Sequence, residues 1–444
     1  MKILIVVDQP RRDAIIAKKI NAIGVKRKHK IIKSSSYMCI ANAMIFKPDV
    51  IIIGNADTYH SVYVRLLRPY VKCIASIPTE QYLVTTGYKS NYFNQWQQYI
   101  KQGHTTPYQP AYSYIDIILT YGEHQKNIIK SIVSDSVNVD TIGPIRLPAL
   151  EKVNRKSIGI VLDQQDELTG KMVAEHDTSW FGGDSHSTGD ILIWSKYIEL
   201  TLFETIKLLG NNFSETNLIV RPRFNSKDKV ALKSLDSFLS KYVKHYEIDM
   251  SNSLEYMAEN CFVVLSGEST ASIEFQILGI PSINVMRLQE SKYFDKNSIH
   301  ESYGSMYPYR YSWKPEDKTD LYNIIELASM KKINISPIDD QFYPHIASLF
   351  GFHDDNNIIN SAERSLDLIE ESYLRCEKYT MYKKDEVLEN ILIAKNINLL
   401  PKSIPPSWYL FFCNFNTFFG AVFWTIVSWL QLTRRYILIN IRKI

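Results

Sequence analysis

Short apolar runs recur along the first third of the chain, and segments with helical spacing separate them. The runs are rich in Ile and Val, which is typical of strands buried on both faces of a sheet. The pattern predicts strands at 2–7, 29–33, 48–54, 71–77, 116–122 and 139–142, and helices at 13–23 and 123–132. Strands that alternate with helices favour a parallel α/β layer with both faces covered.

A second alternation follows a polar, basic linker at 152–157. It predicts strands at 157–163, 217–223, 246–248, 261–265 and 282–285, and helices at 191–209, 230–242, 253–259 and 271–278. A long polar loop at 164–189 interrupts it, and further helices are expected at 320–329 and 361–398. The predicted domains are therefore an α/β domain at 1–151, a second α/β domain at 157–345, C-terminal helices at 346–404 and a hydrophobic tail at 405–444.

The stretch 261–285 is the centre of the second domain. An apolar run ends in Ser266-Gly267-Glu268-Ser269-Thr270, and helical spacing then continues to Leu278. Gly279 stands where a helix ends in the left-handed conformation, and Pro281 stops the helix. The pattern predicts a strand, a polar turn, a short helix and another strand.

The polar turn has the chemistry of an anion site. It would place backbone N–H groups and the hydroxyls of Ser266, Ser269 and Thr270 at a helix N-terminus, which suits phosphate at the carboxyl end of a parallel sheet. Glu274, one turn into the helix, is placed to accept hydrogen bonds from ribose hydroxyls. The same residues are also compatible with a capped core helix and a solvated glutamate.

These motifs resemble the nucleotide-sugar site of GT-B glycosyltransferases. The likeness extends over about residues 1–345 and is strongest to bacterial surface-polysaccharide enzymes: polysialyltransferases, CMP-Kdo transferases and teichoic-acid glycerophosphotransferases. The resemblance implies two Rossmann-type domains facing a cleft, C-terminal helices that cross back onto the first domain, and no cofactor. The donor would be a nucleotide-activated sugar, CMP-linked in preference to UDP-linked, and the acceptor a glycan or lipid-linked glycan.

Arg221-Pro222-Arg223 is the second element that the resemblance places at the donor site. The related enzymes end the equivalent strand in His-Pro, and that His contacts the donor phosphate. Here Arg221 stands in place of the His, and an arginine can bind phosphate bidentately but cannot act as an acid. The resemblance also assigns Ser269-Thr270 to the donor phosphate, with Ser266 and Gly267 completing the cradle. The alternative for Arg221 and Arg223 is a surface pair at a strand end.

Two residues are candidates for the base that deprotonates the acceptor hydroxyl. Glu80 lies where related transferases carry an acidic motif, although Thr79 and Gln81 depart from that pattern. His104, in a polar stretch, is the rival, and His124 is another. The resemblance implies a metal-independent transfer, and the adjacent acids at 339–340 and 354–355 are expected to be solvated, so no metal is predicted.

The tail from Trp408 to Leu432 contains no charged residue. Its length meets the requirement for a bilayer span, and Trp and Tyr near both ends suit the membrane interface. Polar residues within it favour a helix lying in the interface over one that spans. Burial against the body of the protein or in a dimer is the alternative. The tail predicts a protein on the cytoplasmic face of the inner membrane, peripheral or tail-anchored.

Bulk properties narrow the choice of function. A net charge of +4 with no lysine-rich block gives no case for nucleic acid, and five scattered cysteines indicate a reducing cytosol. The first apolar run is too short for a signal peptide. No dinucleotide glycine fingerprint follows the first strand, which argues against a Rossmann dehydrogenase. A CDP-polyol phosphotransferase, a sugar-nucleotide 2-epimerase and a non-catalytic scaffold in an assembly complex remain as alternatives to a glycosyltransferase.

Overall fold

The structure, a computed structural model, divides into two compact units. The described residues are 1–7, 10–54, 60–77, 114–130, 133–148, 150, 153–162, 188–222, 229–251, 253–267, 269, 271–289, 311–338, 361–376 and 422–430. The first unit runs to Arg146 and takes in the described C-terminal residues, and the second begins at Leu147.

The first unit is built on a six-stranded parallel sheet. Its strands are β1 (Lys2–Val7), β2 (Lys30–Ser35), β3 (Val50–Ile53), β4 (Cys73–Ser76), β5 (Ile117–Thr120) and β6 (Asn138–Thr141). They lie in the order β2-β1-β3-β4-β5-β6, and every pairing is parallel. All residues of β3, β4 and β5 are buried, as continuous apolar runs require in a sheet covered on both faces.

Four helices of the first unit connect these strands: α1 (Pro10–Lys26), α2 (Cys39–Phe46), α3 (His60–Leu67) and α4 (Glu123–Lys130). The hydrophobic pattern predicted α1 and α4, whereas α2 and α3 were not predicted. In α2, the residues from Cys39 to Phe46 are mostly apolar and five of the eight are buried. A helix without a polar face has no amphipathic period to detect, since periodicity marks only half-buried helices.

The second unit contains a five-stranded parallel sheet with the order β11-β10-β7-β8-β9. Its strands are β7 (Ser157–Val161), β8 (Leu218–Arg221), β9 (Tyr246–Ile248), β10 (Cys261–Ser266) and β11 (Ser282–Asn284). Its helices are α5 (Thr188–Asn212), α6 (Lys229–Tyr242), α7 (Glu255–Asn260), α8 (Ala271–Ile277) and α9 (Lys318–Ser329). In chain order this sheet reads 3-2-1-4-5, the Rossmann arrangement.

The predicted fold class, two parallel-sheet α/β domains, is confirmed by these two sheets. Every strand that the apolar runs predicted is present, with ends shifted by a few residues. The facing of the two domains across a cleft, and the exact domain boundaries, stay predictions.

Helix α10 (Ser361–Arg375) belongs to the first unit. Arg27, directly after α1, forms ion pairs with Asp367 at 2.6 Å and Glu370 at 3.4 Å. The Nε2 atom of His29 lies 2.6 Å from the same Glu370 carboxylate. The return of a C-terminal helix to the first domain, which the resemblance implied, is therefore observed for α10. The rest of the predicted helix 361–398 lies outside the described residues.

Residues 422–430 form a helix whose inner face is part of the first unit's core. Phe423, Trp424 and Val427 are buried there, and the Ser428 hydroxyl donates to the Tyr37 carbonyl at 2.6 Å. Within the described part of the chain, no helix is both long and apolar enough to cross a bilayer. For this segment of the tail, burial against the body is what the structure shows.

Candidate functional site

The turn after β10 lies at the topological switch point of the second sheet. From β7 the chain continues to β8 and β9 on one side, and from β10 it continues to β11 on the other. The last residue of β10, Ser266, is paired in register with Val161 of β7 and Asn284 of β11. Ligands of open α/β sheets bind at such a point, outside the carboxyl ends of the strands. The sheet order thus singles out the turn that the sequence chemistry had selected.

Ser266 brings an unsatisfied hydroxyl to this edge. Its side chain is fully buried, and its Oγ has no hydrogen-bond partner in the structure as described. A buried polar atom without a partner costs free energy, so its presence calls for an explanation. An incoming phosphate oxygen would supply the missing acceptor.

Asn284 fixes the backbone beside Ser266. Its Nδ2 donates to the Gly267 carbonyl at 2.6 Å, and its Oδ1 accepts from the Met286 amide at 3.0 Å. The carbonyl of Gly267 is therefore held toward β11. Asn284, a polar residue at the end of β11, was not among the predicted site residues.

The helix after the turn is capped at both ends. The Ser269 hydroxyl accepts from the Ala271 amide at 3.3 Å, and its carbonyl accepts from the Ser272 hydroxyl at 2.6 Å. At the other end, Gly279 has a φ of 74°. Its amide bonds to the Gln276 carbonyl, and the Ile280 amide bonds to the Phe275 carbonyl. This is a Schellman motif, and it confirms the predicted terminal glycine.

Arg155, two residues before β7, ties the C-terminal end of α8 to α7. Its guanidinium donates to the carbonyls of Gly279 at 2.7 Å, Leu278 at 2.8 Å and Ala258 at 3.2 Å. A cation at a helix C-terminus is favoured by the helix dipole. Burial lowers the pKa of Arg155. In the sequence it stood within a polar linker, and nothing there marked it.

Glu274 and Gln276 both lie on buried faces of α8. Glu274 is 1% exposed, so the alternative of a solvated glutamate does not hold. The Gln276 Nε2 donates to the Tyr311 carbonyl at 2.7 Å. The structure thus places Glu274 inside the unit, and its role toward ribose hydroxyls stays a prediction.

Arg221, at the carboxyl end of β8, is also buried rather than at the surface. Its Nη1 donates to Asp249 Oδ2 at 2.6 Å and also contacts the Ser251 hydroxyl and the Ser253 carbonyl. Asp249 follows β9 and is itself 5% exposed. The guanidinium therefore ties the segment after β9 to the end of β8. Its phosphate-binding role stays a prediction.

Four of the predicted site residues lie outside the described part of the chain. They are Glu80, His104, Arg223 and Thr270. Of the rest, the structure brings Ser266, Gly267, Ser269 and Glu274 together around the start of α8.

Comparisons with known proteins rest on structure alone. No protein-family model matches the chain, and no curated protein matches its sequence. Among solved structures, UDP-GlcNAc 2-epimerase from Neisseria meningitidis bound to UDP-GlcNAc is similar over 84% of this chain and 100% of its own, with 13% identity and a TM-score of 0.43. The wall teichoic acid polymerase TagF is similar over 84% and 89%, with 12% identity and a TM-score of 0.47. The S. aureus MnaA–UDP co-structure is similar over 86% and 100%, with 13% identity and a TM-score of 0.44.

TagF is of a kind that the sequence resemblance named, the teichoic-acid enzymes, and UDP-GlcNAc 2-epimerase is of a kind that stood among the alternatives to a glycosyltransferase. At such identities and TM-scores they carry no conclusion about activity. The architecture of this chain rests on its own sheet orders and registers.

Proposed function

We propose that this chain is a glycosyltransferase that takes a sugar from a nucleotide-activated donor. The observation that carries the proposal is the buried, unpartnered Ser266 hydroxyl at the switch point of a Rossmann-ordered sheet. The donor phosphate would accept a hydrogen bond from Ser266 and from amides of the turn that follows. Such donors held in place before reaction stabilise the charge that develops on the leaving nucleotide.

The donor would be a CMP sugar in preference to a UDP sugar, and the transfer would need no metal and no cofactor. This preference rests on the resemblance of the 266–281 motif. The acceptor would be a glycan or a lipid-linked glycan of surface-polysaccharide assembly. Glu80, or else His104, would take the proton from its attacking hydroxyl.

A peripheral position on the cytoplasmic face of the inner membrane would bring a lipid-linked acceptor within reach. The outer face of helix 422–430 supports this part of the proposal. Val422, Ile426, Trp429 and Leu430 are between 40% and 68% exposed, and they recur at helical spacing. Arg434 and Arg435 follow in the sequence, and basic residues favour anionic lipid.

The decisive experiment measures binding of CMP, CDP, UDP and GDP to the full chain by calorimetry. The full chain is required because Trp424 belongs to the first unit's core. Ser266→Ala should lower the affinity for the preferred nucleotide by about tenfold to a hundredfold, which is what the loss of a hydrogen bond to a charged group costs. Ser282→Ala is the matched control, because the Ser282 hydroxyl is equally buried and unpartnered in the described structure. Ser282 is in register with Val264, farther from the carboxyl edge of the sheet.

Each outcome selects one function. Tight CMP binding that Ser266→Ala weakens supports a CMP-sugar transferase, and UDP preference supports a transferase for UDP sugars. CDP preference indicates the polyol phosphotransferase. A folded protein that binds none of the four nucleotides would refute the donor site and favour the scaffold.

A further inference from the structure

Two cysteines from distant parts of the chain meet at the amino edge of the first sheet. Cys73 is the first residue of β4 and is fully buried. Cys376 directly follows α10 and is half-buried. The two sulfur atoms and a carboxylate oxygen of Asp116 lie within 4.8 Å of one another.

Helix α10 holds Cys376 in this position. The Cys376 amide bonds to the Ser372 carbonyl at 2.9 Å, which continues the helical pattern. One residue after Ser372, the Tyr373 ring lies 4.5 Å from the Lys72 ammonium, just before β4. The pair is therefore set by packing between a helix and a strand.

The two thiols differ in access. A cavity of about 570 Å³ opens beside the pair and is lined by Cys376 but not by Cys73. Its other lining residues include Asp116, Lys130, Ser372 and Arg375. A small reagent that enters this cavity reaches Cys376, whereas Cys73 is fully buried.

The thiols also differ in acidity. The hydrogen bond from Cys73 lowers the pKa of Cys376 against the opposing effect of burial. The same hydrogen bond and burial raise the pKa of Cys73. An accessible thiol of lowered pKa beside a second thiol is the arrangement found in cysteines that respond to oxidants.

A metal ion fits this site poorly. Arg68 already binds Asp116 through two hydrogen bonds, Nη1 to Oδ2 at 2.6 Å and Nη2 to Oδ1 at 3.0 Å. The Ile74 amide donates to the same Oδ2 at 2.7 Å. The carboxylate is thus neutralised by a cation, and Lys130 and Arg375 add positive charge to the cavity wall. Zinc sites instead use ligands that are free to carry negative charge to the metal.

We propose that Cys376 and Cys73 are a peroxide-responsive pair that closes into a disulfide between α10 and β4. The Cys376 thiolate attacks hydrogen peroxide, the O–O bond breaks, and sulfenic acid and hydroxide form. Cys73 then loses its proton and attacks the sulfenic sulfur, the S–O bond breaks, and water leaves. The two thiols are oxidised and the peroxide is reduced. A dithiol reductant reverses the change by thiol–disulfide exchange.

The test treats the reduced, metal-free full chain with hydrogen peroxide and maps its peptides by mass spectrometry. We expect one linked peptide pair, Cys73 with Cys376, about 2 Da lighter than the sum of the two thiols, and full recovery on adding dithiothreitol. Cys39 and Cys261 are buried and are not in a disulfide, and both should stay reduced. A map in which Cys73 and Cys376 remain unlinked would overturn the proposal.

Two variants separate the roles of the pair. Cys73→Ala should leave Cys376 as a sulfenic acid that a dimedone probe traps, and Cys376→Ser should leave Cys73 unmodified. If dimedone labels Cys73 in Cys376→Ser as much as it labels Cys376 in Cys73→Ala, Cys376 is not the thiol that reacts first with peroxide. In parallel, zinc is added to the reduced protein: stoichiometric binding that is lost in Asp116→Asn would identify a metal site and refute the disulfide.

Discussion

Arg221 and Asp249 form a buried ion pair, 2.6 Å from Nη1 to Oδ2, at the carboxyl ends of neighbouring strands β8 and β9. The two side chains are 8% and 2% exposed. The pair lies at the same edge of the second sheet as the turn after β10. An arginine selected for phosphate binding thus has a structural partner close to the proposed donor site.

Removing one partner of this pair should destabilise the second unit strongly. Arg221→Met leaves the Asp249 carboxylate buried and unpaired, and we expect a loss of about 3–5 kcal/mol in the free energy of unfolding. Urea denaturation measures it. The double variant Arg221→Met/Asp249→Leu should recover much of the loss. Lys244→Met is the control: its partner Glu215 is 78% exposed, so the unfolding midpoint should barely move. Equal effects of Arg221→Met and Lys244→Met would contradict the structural role.

Gly210 in α5 should resist the substitution that usually stabilises a helix. A Cβ at this position would lie 2.0 Å from the Tyr242 carbonyl oxygen, which is backbone and cannot rotate away. We therefore expect Gly210→Ala to destabilise the protein by about 1–3 kcal/mol, although alanine has the better helix propensity.

Gly24→Ala is the matched helix variant for Gly210→Ala. Its new Cβ would clash with the end of the Ile31 side chain, at 2.4 Å, and would make an ordinary contact with His29 at 3.7 Å. The Ile31 side chain can turn aside. Gly24→Ala should therefore destabilise the protein less than Gly210→Ala, and the thermal unfolding midpoints of the two variants test this. A stabilising Gly210→Ala would mean that α5 and α6 are packed less tightly than the structure shows.

Two tryptophans on one helix should behave oppositely. Trp424 is 2% exposed in the first unit's core, and Trp429 is 68% exposed. Trp424→Ala should cost about 3–5 kcal/mol of stability by leaving a cavity, whereas Trp429→Ala should change it by less than about 0.5 kcal/mol. Chemical denaturation of the full chain distinguishes them. Deletion of residues 405–444 should resemble Trp424→Ala or be worse.

The exposed face of the same helix provides a test of membrane association. Ile426→Ser with Trp429→Ser removes apolar area from that face, so co-sedimentation with anionic liposomes should fall several-fold. Ile45→Ser is the control, because Ile45 is 66% exposed on α2. Unchanged sedimentation of the double variant would remove helix 422–430 from the membrane proposal.

The pH dependence of Cys376 alkylation follows from the lowered pKa of this thiol. The thiolate is the reactive form, so the rate with iodoacetamide should reach half its maximum below the ordinary thiol pKa. In Cys73→Ala the hydrogen bond is lost, and the midpoint should move to higher pH. The lowered pKa of Cys376 also links protein stability to pH. It adds to the free energy of unfolding above the thiol pKa of the unfolded chain, and this contribution is lost as the pH falls through the lower pKa of the folded protein. A midpoint that stays in place would show that Cys73 does not set this acidity.

The sequence by itself determined the elements that depend on neighbouring residues. The strands are continuous apolar runs. The helix α8 ends at Gly279 because glycine is the residue type that adopts a positive φ without strain. The Ser266 turn was found for the same reason, since a strand, a polar cluster and a helix stand next to one another in the chain. Local patterns of this kind need no knowledge of the fold.

Only the tertiary structure decided which distant residues meet. Asp249 lies 28 residues from Arg221, and the core that takes in Trp424 is built from residues near the other end of the chain, such as Leu4 and Ile40. Apolarity alone cannot say whether a tail is buried in protein or in lipid, because both remove the same surface from water. The burial of Phe423, Trp424 and Val427 in the first unit's core resolved this for helix 422–430, and the order of the strands set the Ser266 turn at the switch point.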